Sequence, residues 1–260
     1  MATAAAKFER LTMEVRSSVA RIVLTNPPLN VIDIAMMEEL ASALGRVEPY
    51  PEISTVVICG AGKCFSAGVD VAAHTADKVS AMLEKFHAVI RALVASKKVT
   101  IAAVHGHCLG GGAELAMVCD LAYSTANAKW GFPEIQLGCF PPVAVTALSA
   151  LVGYKHASEL VLTGRTLNGV EAAAIGLASQ SVATGQLATI VDETVAKLAT
   201  LSPAALALTK KASYAWDAVH FDKGLARAEK IYLDELMKTE DAQEGIQAFM
   251  EKRQPKWKGR

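Results

Sequence analysis

The chain has no surplus of either charge. Its 26 Lys and Arg balance 26 Asp and Glu. That balance argues against a general polyanion binder, which needs a basic excess, and against disorder, which goes with high net charge and low hydrophobicity. Cysteines number five (Cys59, Cys64, Cys108, Cys119 and Cys139), an odd count with no CxxC pair. Free thiols in a reducing, cytoplasmic setting fit this better than a disulfide framework. Residues 1–10 lack the apolar run of a secretory leader, and residues 1–6 read as frayed. No Ser/Gly/Pro-rich linker and no short repeat divides the sequence. One stretch, Ile135–Tyr154, carries no charge over about 20 residues, roughly a membrane-spanning length. Its two prolines and its Gln, Thr and Ser instead predict buried protein interior, with no membrane partner.

At 260 residues and 52% hydrophobic content, the chain can bury a substantial core. Segments 11–16, 19–25, 55–59 and 99–104 are β-branched and read as strands. Between them, Asp33 caps a helix striped by Met36, Met37, Leu40 and Leu44, and a second helix spans about 78–96. Such alternation implies right-handed β/α crossovers. After residue 142 the pattern is almost wholly helical, over 155–162, 169–174, 186–200, 203–216, 223–237 and 240–252. This predicts an α/β core over 1–200 and a helical part over 201–260.

Four groups of residues could carry chemistry. Gly110-Gly-Gly112 precedes a helix, where exposed N–H groups and the helix dipole suit a phosphate or an oxyanion; close packing is the alternative. It is neither a Walker loop nor a dinucleotide fingerprint. Lys63 to Asp70 forms a second glycine-bearing turn after a strand. Glu114 and Glu134 are lone charges in apolar surroundings, where burial raises a carboxyl toward the range useful for proton transfer; a helix cap and a surface ion pair are their plainer roles. His105, His107 and Cys108 lie within four residues, but no further ligands join them, so no metal is expected. Asp70 and His74 could line a site, but capping of the following helix is favoured.

Taken together, several motifs resemble those of the enoyl-CoA hydratase (crotonase) superfamily. Ser66-Ala-Gly-Val-Asp70 resembles its F-x-A-G-x-D loop. Ala102 to Asp120 resembles A-x-x-G-x-x-x-G-G-G-x-E-L-A-x-x-C-D, and Phe132 to Gly138 resembles Q-P-E-x-x-L-G. Weaker likenesses lie at Leu24–Asn30, Glu159–Gly164, Ala172–Leu177 and Phe249–Arg253, so the resemblance spans about residues 12–258. It implies an α/β spiral of ββα units with a helical C-terminal trimerisation region, assembled as a homo-trimer or homo-hexamer. Leu225, Ile231, Leu233 and Leu236 would lie partly between subunits. It implies an acyl-CoA thioester substrate, with coenzyme A part of the substrate and no separate cofactor.

By the same resemblance, the backbone N–H groups of Val69 and Gly111 form an oxyanion hole, and Glu114 activates water while Glu134 delivers the α-proton, or the two act in reverse or in concert. Ala67, Gly68 and Asp70 would contact substrate, and Lys252 of the basic tail would meet the CoA phosphates. The sequence departs from the family after Gly138, where Cys139-Phe140-Pro141-Pro142 replaces a flexible I-P-G-x-G-G turn. Phe140 and Pro141 would then form a stiff wall at the acyl group. In this the chain looks most like the cyclohexa-1,5-diene-1-carbonyl-CoA hydratases of anaerobic benzoyl-CoA degradation, which implies 1,4-addition of water to a cyclic diene. The alternatives are a short-chain linear enoyl-CoA hydratase and, in another class, an RNA-binding or scaffold protein with this fold. Two intact glutamates and neutral charge argue against the latter, and no nucleic-acid partner is expected.

Overall fold

In a computed structural model, which describes residues 8–214 and 217–260, the hydrophobic runs form two sheets wrapped by helices. Strands β1 (Leu11–Arg16) and β2 (Val19–Leu24) make an antiparallel hairpin. Strands β3 (Thr55–Gly60), β4 (Val99–Val104), β6 (Leu121–Thr125) and β9 (Gln180–Val182) extend it in parallel, in the order β1-β2-β3-β4-β6-β9. Every residue of β4 is buried, as befits an inner parallel strand covered on both faces. The only polar side chain in that strand, Thr100, donates from its hydroxyl to Asp120 Oδ2 at 2.9 Å, and its N–H does so at 2.7 Å. The same oxygen takes Lys210 Nζ at 2.8 Å, which fastens a C-terminal helix to the sheet.

A smaller sheet, β5 (His107–Leu109), β7 (Lys129–Gly131) and β8 (Thr166–Asn168), lies beside the site described below. The three-residue strands β5, β7, β8 and β9 carry too little pattern to be read from sequence.

Helix α1 (Ile34–Val47) starts where Asp33 accepts from Met36 N at 2.8 Å, and buries the predicted stripe. Helix α2 (Val79–Ala95) follows a 3-10 turn at Val71–His74, and the short α3 (Gly111–Met117) follows β5. The uncharged stretch 135–154 folds as part of a 3-10 turn (Pro133–Leu137) and as α4 (Pro142–Val152). Among the described residues no helix is long and apolar enough to cross a membrane.

Helices α5 (Tyr154–Thr163), α6 (Gly169–Ala174) and α7 (Leu187–Ala199) lead to the C-terminal set: α8 (Pro203–Tyr214), α9 (Asp217–Asp234) and α10 (Glu240–Met250). Helix α9 begins six residues earlier than its apolar stripe suggests, and the end of the helix expected over 203–216 falls at residues outside those described, as does the N-terminal segment 1–6. Leu225 is fully buried within the chain itself, so it is not available to a subunit interface; Ile231, Leu233 and Leu236 are half-buried.

Candidate active site

The site forms where two glycine-bearing loops are laced together. Ser66 N–H donates to His107 O at 2.9 Å, and Leu109 N–H to Ser66 O at 3.1 Å, so the loop after β3 runs alongside β5. Asn30 braces the loop from behind, its amide donating to Ala61 O at 2.9 Å and Cys64 O at 2.8 Å. This explains the early Asn-Pro-x-x-Asn element: it is a strut. A one-residue parallel bridge joins Val69 to Ile32, using the carbonyl of Gly68 and the N–H of Asp70. The Val69 N–H therefore points to the opposite side. There it meets the start of α3, whose first residue, Gly111, has no intrahelical acceptor for its own N–H.

Glycine is required for this approach. A Cβ on Gly111 would stand 2.5 Å from Val69 Cγ2 and 3.4 Å from Val69 N, and one on Gly68 would stand 3.7 Å from Gly111 N. Among the described residues no protein acceptor takes either N–H. Two such donors on facing walls suit an oxygen that gains negative charge.

Glu114 sits in the first turn of α3 and is 3% exposed. Its Oε1 accepts from Val143 N at 2.8 Å and Ala144 N at 3.0 Å, the opening N–H groups of α4. Pro142 at the first position of α4 sets that helix start without using an N–H. Burial outweighs these two bonds and lifts the Glu114 carboxyl to about 7. Glu134 reaches in from the 3-10 turn. The residue as a whole is half-buried, but its Oε2 is buried without a hydrogen-bond partner. Its Oε1 passes so close to Gly110 that a Cβ there would lie 2.7 Å away. Burial, reinforced by the charge on Glu114, holds Glu134 well above the usual carboxylate range. Both carboxyls are thus held above the usual carboxylate range by burial, and the charge of Glu114 raises Glu134 further.

Both carboxyls, both N–H loops, Phe140 and Pro141 line one cavity of about 750 Å3, as do Ala67 and Gly68. Two of the predicted contact residues have roles within the chain itself. Asp70 does not line the cavity: its carboxylate caps the following 3-10 turn, accepting from Ala72 N at 3.1 Å. Lys252 is exposed and serves as the left-handed residue that ends α10, with φ of 55°. Lys252 N–H returns to Phe249 O and Arg253 N–H to Ala248 O, the paired bonds of a Schellman cap. It is Arg253 that reaches the cavity, with its guanidinium held by Glu244 and Glu251. His105, His107 and Cys108 do not converge with other ligands, and no cluster of three or more metal-capable side chains occurs among the described residues.

Tyr232 was invisible in the sequence. It is 1% exposed, lines the cavity from α9, and sets its ring edge-on to Phe140 at 5.1 Å and 73°. Its hydroxyl lies against the Cys139 thiol, and burial pushes that thiol up to about 11. The C-terminal Trp257 and the α2 residues Phe86 and His87 complete the lining. Nothing local to these positions separates them from ordinary core residues.

Residues 14–260 match the sequence profile described as enoyl-CoA hydratase/isomerase. Among curated proteins, the chain is 34% identical over 253 residues to the cyclohexa-1,5-dienecarbonyl-CoA hydratase of Thauera aromatica, covering 96% of this chain and 97% of that one. It is 35% identical over 257 residues to a probable enoyl-CoA hydratase of Bacillus subtilis (strain 168), covering 96% and 98%. Among solved structures, an enoyl-CoA hydratase from Mycobacterium avium subsp. paratuberculosis K-10 superposes with a TM-score of 0.88 at 26% identity, over 97% of this chain and all of that one. With the two N–H donors and the buried carboxyl pair already in place, the chain belongs to the enoyl-CoA hydratase/isomerase family and is a hydro-lyase of the enoyl-CoA hydratase type.

Proposed function

We propose that the chain hydrates a cyclic conjugated dienoyl-CoA, cyclohexa-1,5-diene-1-carbonyl-CoA, by 1,4-addition. The observation that carries this reading is the wall beside the carboxyls, formed by the segment that follows Glu134 and leads into α4. Phe140 stands edge-on to Tyr232, and two consecutive prolines follow it. Proline fixes φ and loses little entropy on ordering, so the wall is stiff and suits a flat, wide ring. The likeness to the Thauera aromatica enzyme supports the same substrate.

In this mechanism the thioester oxygen sits between Val69 N–H and Gly111 N–H. Glu114, as carboxylate, takes a proton from water while the water oxygen bonds to the β carbon. The electron pair of the C1=C2 bond moves toward the thioester, giving a dienolate whose charge rests on that oxygen. Loss of one such donor typically costs about 3 kcal/mol in the barrier. Glu134 then protonates the dienolate at ring carbon 5, opposite the new hydroxyl, and the remaining double bond settles between the α carbon and its other ring neighbour. The product is a 6-hydroxycyclohex-1-ene thioester. Proton exchange with solvent returns Glu114 and Glu134 to their starting states. Val69 N–H, Gly111 N–H, Glu114 and Glu134 thus serve as oxyanion donors, base and acid.

A linear short-chain enoyl-CoA is the second reading, favoured by a likeness, at 32% identity over 254 residues, to the short-chain-enoyl-CoA hydratase of Clostridium acetobutylicum. Turnover of crotonyl-CoA and the cyclic diene, with product masses, separates them. The cyclic diene is expected to show the higher kcat/KM; efficient crotonyl-CoA hydration with no activity on the diene refutes the ring. The C-terminal helices leave Leu208, Phe249 and Met250 exposed, as the turn before them does Leu201, and these apolar side chains support assembly as a homo-trimer or homo-hexamer. A monomer by light scattering at micromolar concentration overturns that assembly.

A further inference from the structure

The cavity wall holds a buried histidine that the hydration mechanism does not use. His87, on α2, is fully buried and lines the cavity next to Phe86. Its Nδ1 lies 2.6 Å from Glu229 Oε1 on α9, and Arg91 Nη2 donates to the same oxygen at 2.9 Å. Asp222 lies 3.7 Å from Arg91, completing a charged clasp between α2 and α9. A carboxylate only accepts, so the hydrogen belongs on Nδ1 and the other nitrogen, Nε2, carries a bare lone pair. Burial lowers the pKa of the ring, which keeps it neutral near pH 7. Nε2 is itself buried, and among the described residues nothing donates to it.

An imidazole nitrogen fixed in this way is selective. It cannot donate to a carbonyl or a carboxylate; it accepts from a hydroxyl. A wholly hydrocarbon acyl group packed on it would leave a buried acceptor unmatched. The clasp also fixes the ring, since Glu229 is held by Arg91 as well as by His87, so the acceptor is preorganised for whatever occupies that end.

We propose that His87, held by Glu229, is a specificity residue that accepts a hydrogen bond from a hydroxyl on the acyl group, at a carbon remote from the thioester. The preferred substrates are then hydroxyl-bearing enoyl or cyclic dienoyl thioesters. This rests on the reading that an acyl-CoA enters this cavity with its thioester at Val69 and Gly111, and it holds for a ring or a chain alike. It also sets the place of the reaction: the step that supplies the substrate must deliver an acyl group already hydroxylated, or one whose hydroxyl survives from an earlier oxygenated precursor.

The test compares matched thioesters on the full-length protein: hex-2-enoyl-CoA with 6-hydroxyhex-2-enoyl-CoA, pent-2-enoyl-CoA with 5-hydroxypent-2-enoyl-CoA, and cyclohexa-1,5-diene-1-carbonyl-CoA with its 4-hydroxy derivative. At least one hydroxylated member is expected to exceed its twin in kcat/KM by about tenfold, the yield of one added hydrogen bond. His87→Leu should bring that ratio close to one. As a check independent of any variant, 6-hydroxyhexanoyl-CoA should inhibit the wild-type enzyme more strongly than hexanoyl-CoA. If no hydroxylated thioester exceeds its twin in turnover or inhibition, or if the ratio survives His87→Leu, the proposal is overturned. A preference confined to the linear pairs, with no turnover of either ring, supports His87 and refutes the ring reading. Turnover of both rings at equal rates, with no preference in the linear pairs, does the reverse.

Discussion

Glu114→Gln should make the protein more stable at pH 8 while disabling it. Folding moves the Glu114 carboxyl from an ordinary 4.5 to about 7. Because the folded state holds this proton more tightly than the unfolded one, stability falls as pH rises from 4.5 through 7 and levels off above. At about 1.4 kcal/mol per pH unit of difference, the ionised carboxylate costs the fold about 3 kcal/mol in the alkaline limit. Glutamine is isosteric and cannot ionise. Its oxygen still accepts from Val143 N and Ala144 N, but its new N–H groups replace a bare oxygen at the cavity, a loss of about 1 kcal/mol. The net gain is about 2 kcal/mol at pH 8, or about 4–8 °C in Tm for a chain of this size. At pH 4 wild type also carries a neutral side chain here, so the gain should vanish and leave only the loss of about 1 kcal/mol. Thermal unfolding of both proteins at fixed concentration, at pH 4, 6 and 8, measures this. Equal Tm at pH 8, or a gain that does not depend on pH, would refute the assignment of Glu114 as the buried base. Turnover of the same variant should fall at least about 10²-fold.

Gly110→Ala should fall in activity by about 10²-fold or more, since its Cβ would displace Glu134 Oε1 from 2.7 Å and small misplacements of a reacting group cost that much. The same variant should lose about 1–3 kcal/mol in urea unfolding, because φ of 51° with ψ of −129° is a glycine conformation. Lys252→Gly should stabilise by about 1 kcal/mol by removing the left-handed strain at the α10 cap, and should leave KM for the acyl-CoA unchanged; a raised KM would return Lys252 to the CoA site.

The parts of the site legible in sequence are those whose chemistry is local. A glycine run before a helix and a lone glutamate among Leu, Ala and Met both signal backbone exposure and enforced burial, and the structure places Val69, Gly111, Glu114 and Glu134 around one cavity. Asp70 and Lys252 show that a charged residue beside a motif can be used by the backbone before any ligand meets it. Asp70 caps the turn at Val71–His74, and Lys252 closes α10. Tyr232 and His87 were not legible because each reads as one step of an amphipathic stripe. Only the packing of α9 against α2 and α4 turns them toward the site. The short strand β9, added to β6 through Tyr123, Ser124 and Thr125, shows the same limit in the fold. Three residues pair because the sheet edge is waiting for them.

The segment Cys139–Pro142 serves both the wall and the base, and this decides how the ring reading is best tested. Phe140, Pro141 and Pro142 all face the cavity, and Pro142 also begins α4 and so aims Val143 N and Ala144 N at Glu114. Replacing all of Phe140-Pro141-Pro142 by Ile-Pro-Gly would therefore loosen the carboxylate together with the wall, and a fall in rate on every substrate could hide a change in preference. Phe140→Ala alone removes the ring partner of Tyr232 and leaves the start of α4 intact. If the stiff aromatic wall selects a flat ring, this variant should lose about tenfold or more in kcat/KM on the cyclic diene, within the range that apolar contacts supply to specificity. Crotonyl-CoA is too small to fill the same space and should lose much less. The pH dependence of kcat should stay in place, because Glu114 and Glu134 keep their burial and their partners. An equal fall on both substrates would mean that Phe140 supports the pocket as a whole, and the wall would then give no reason to prefer a ring over a chain.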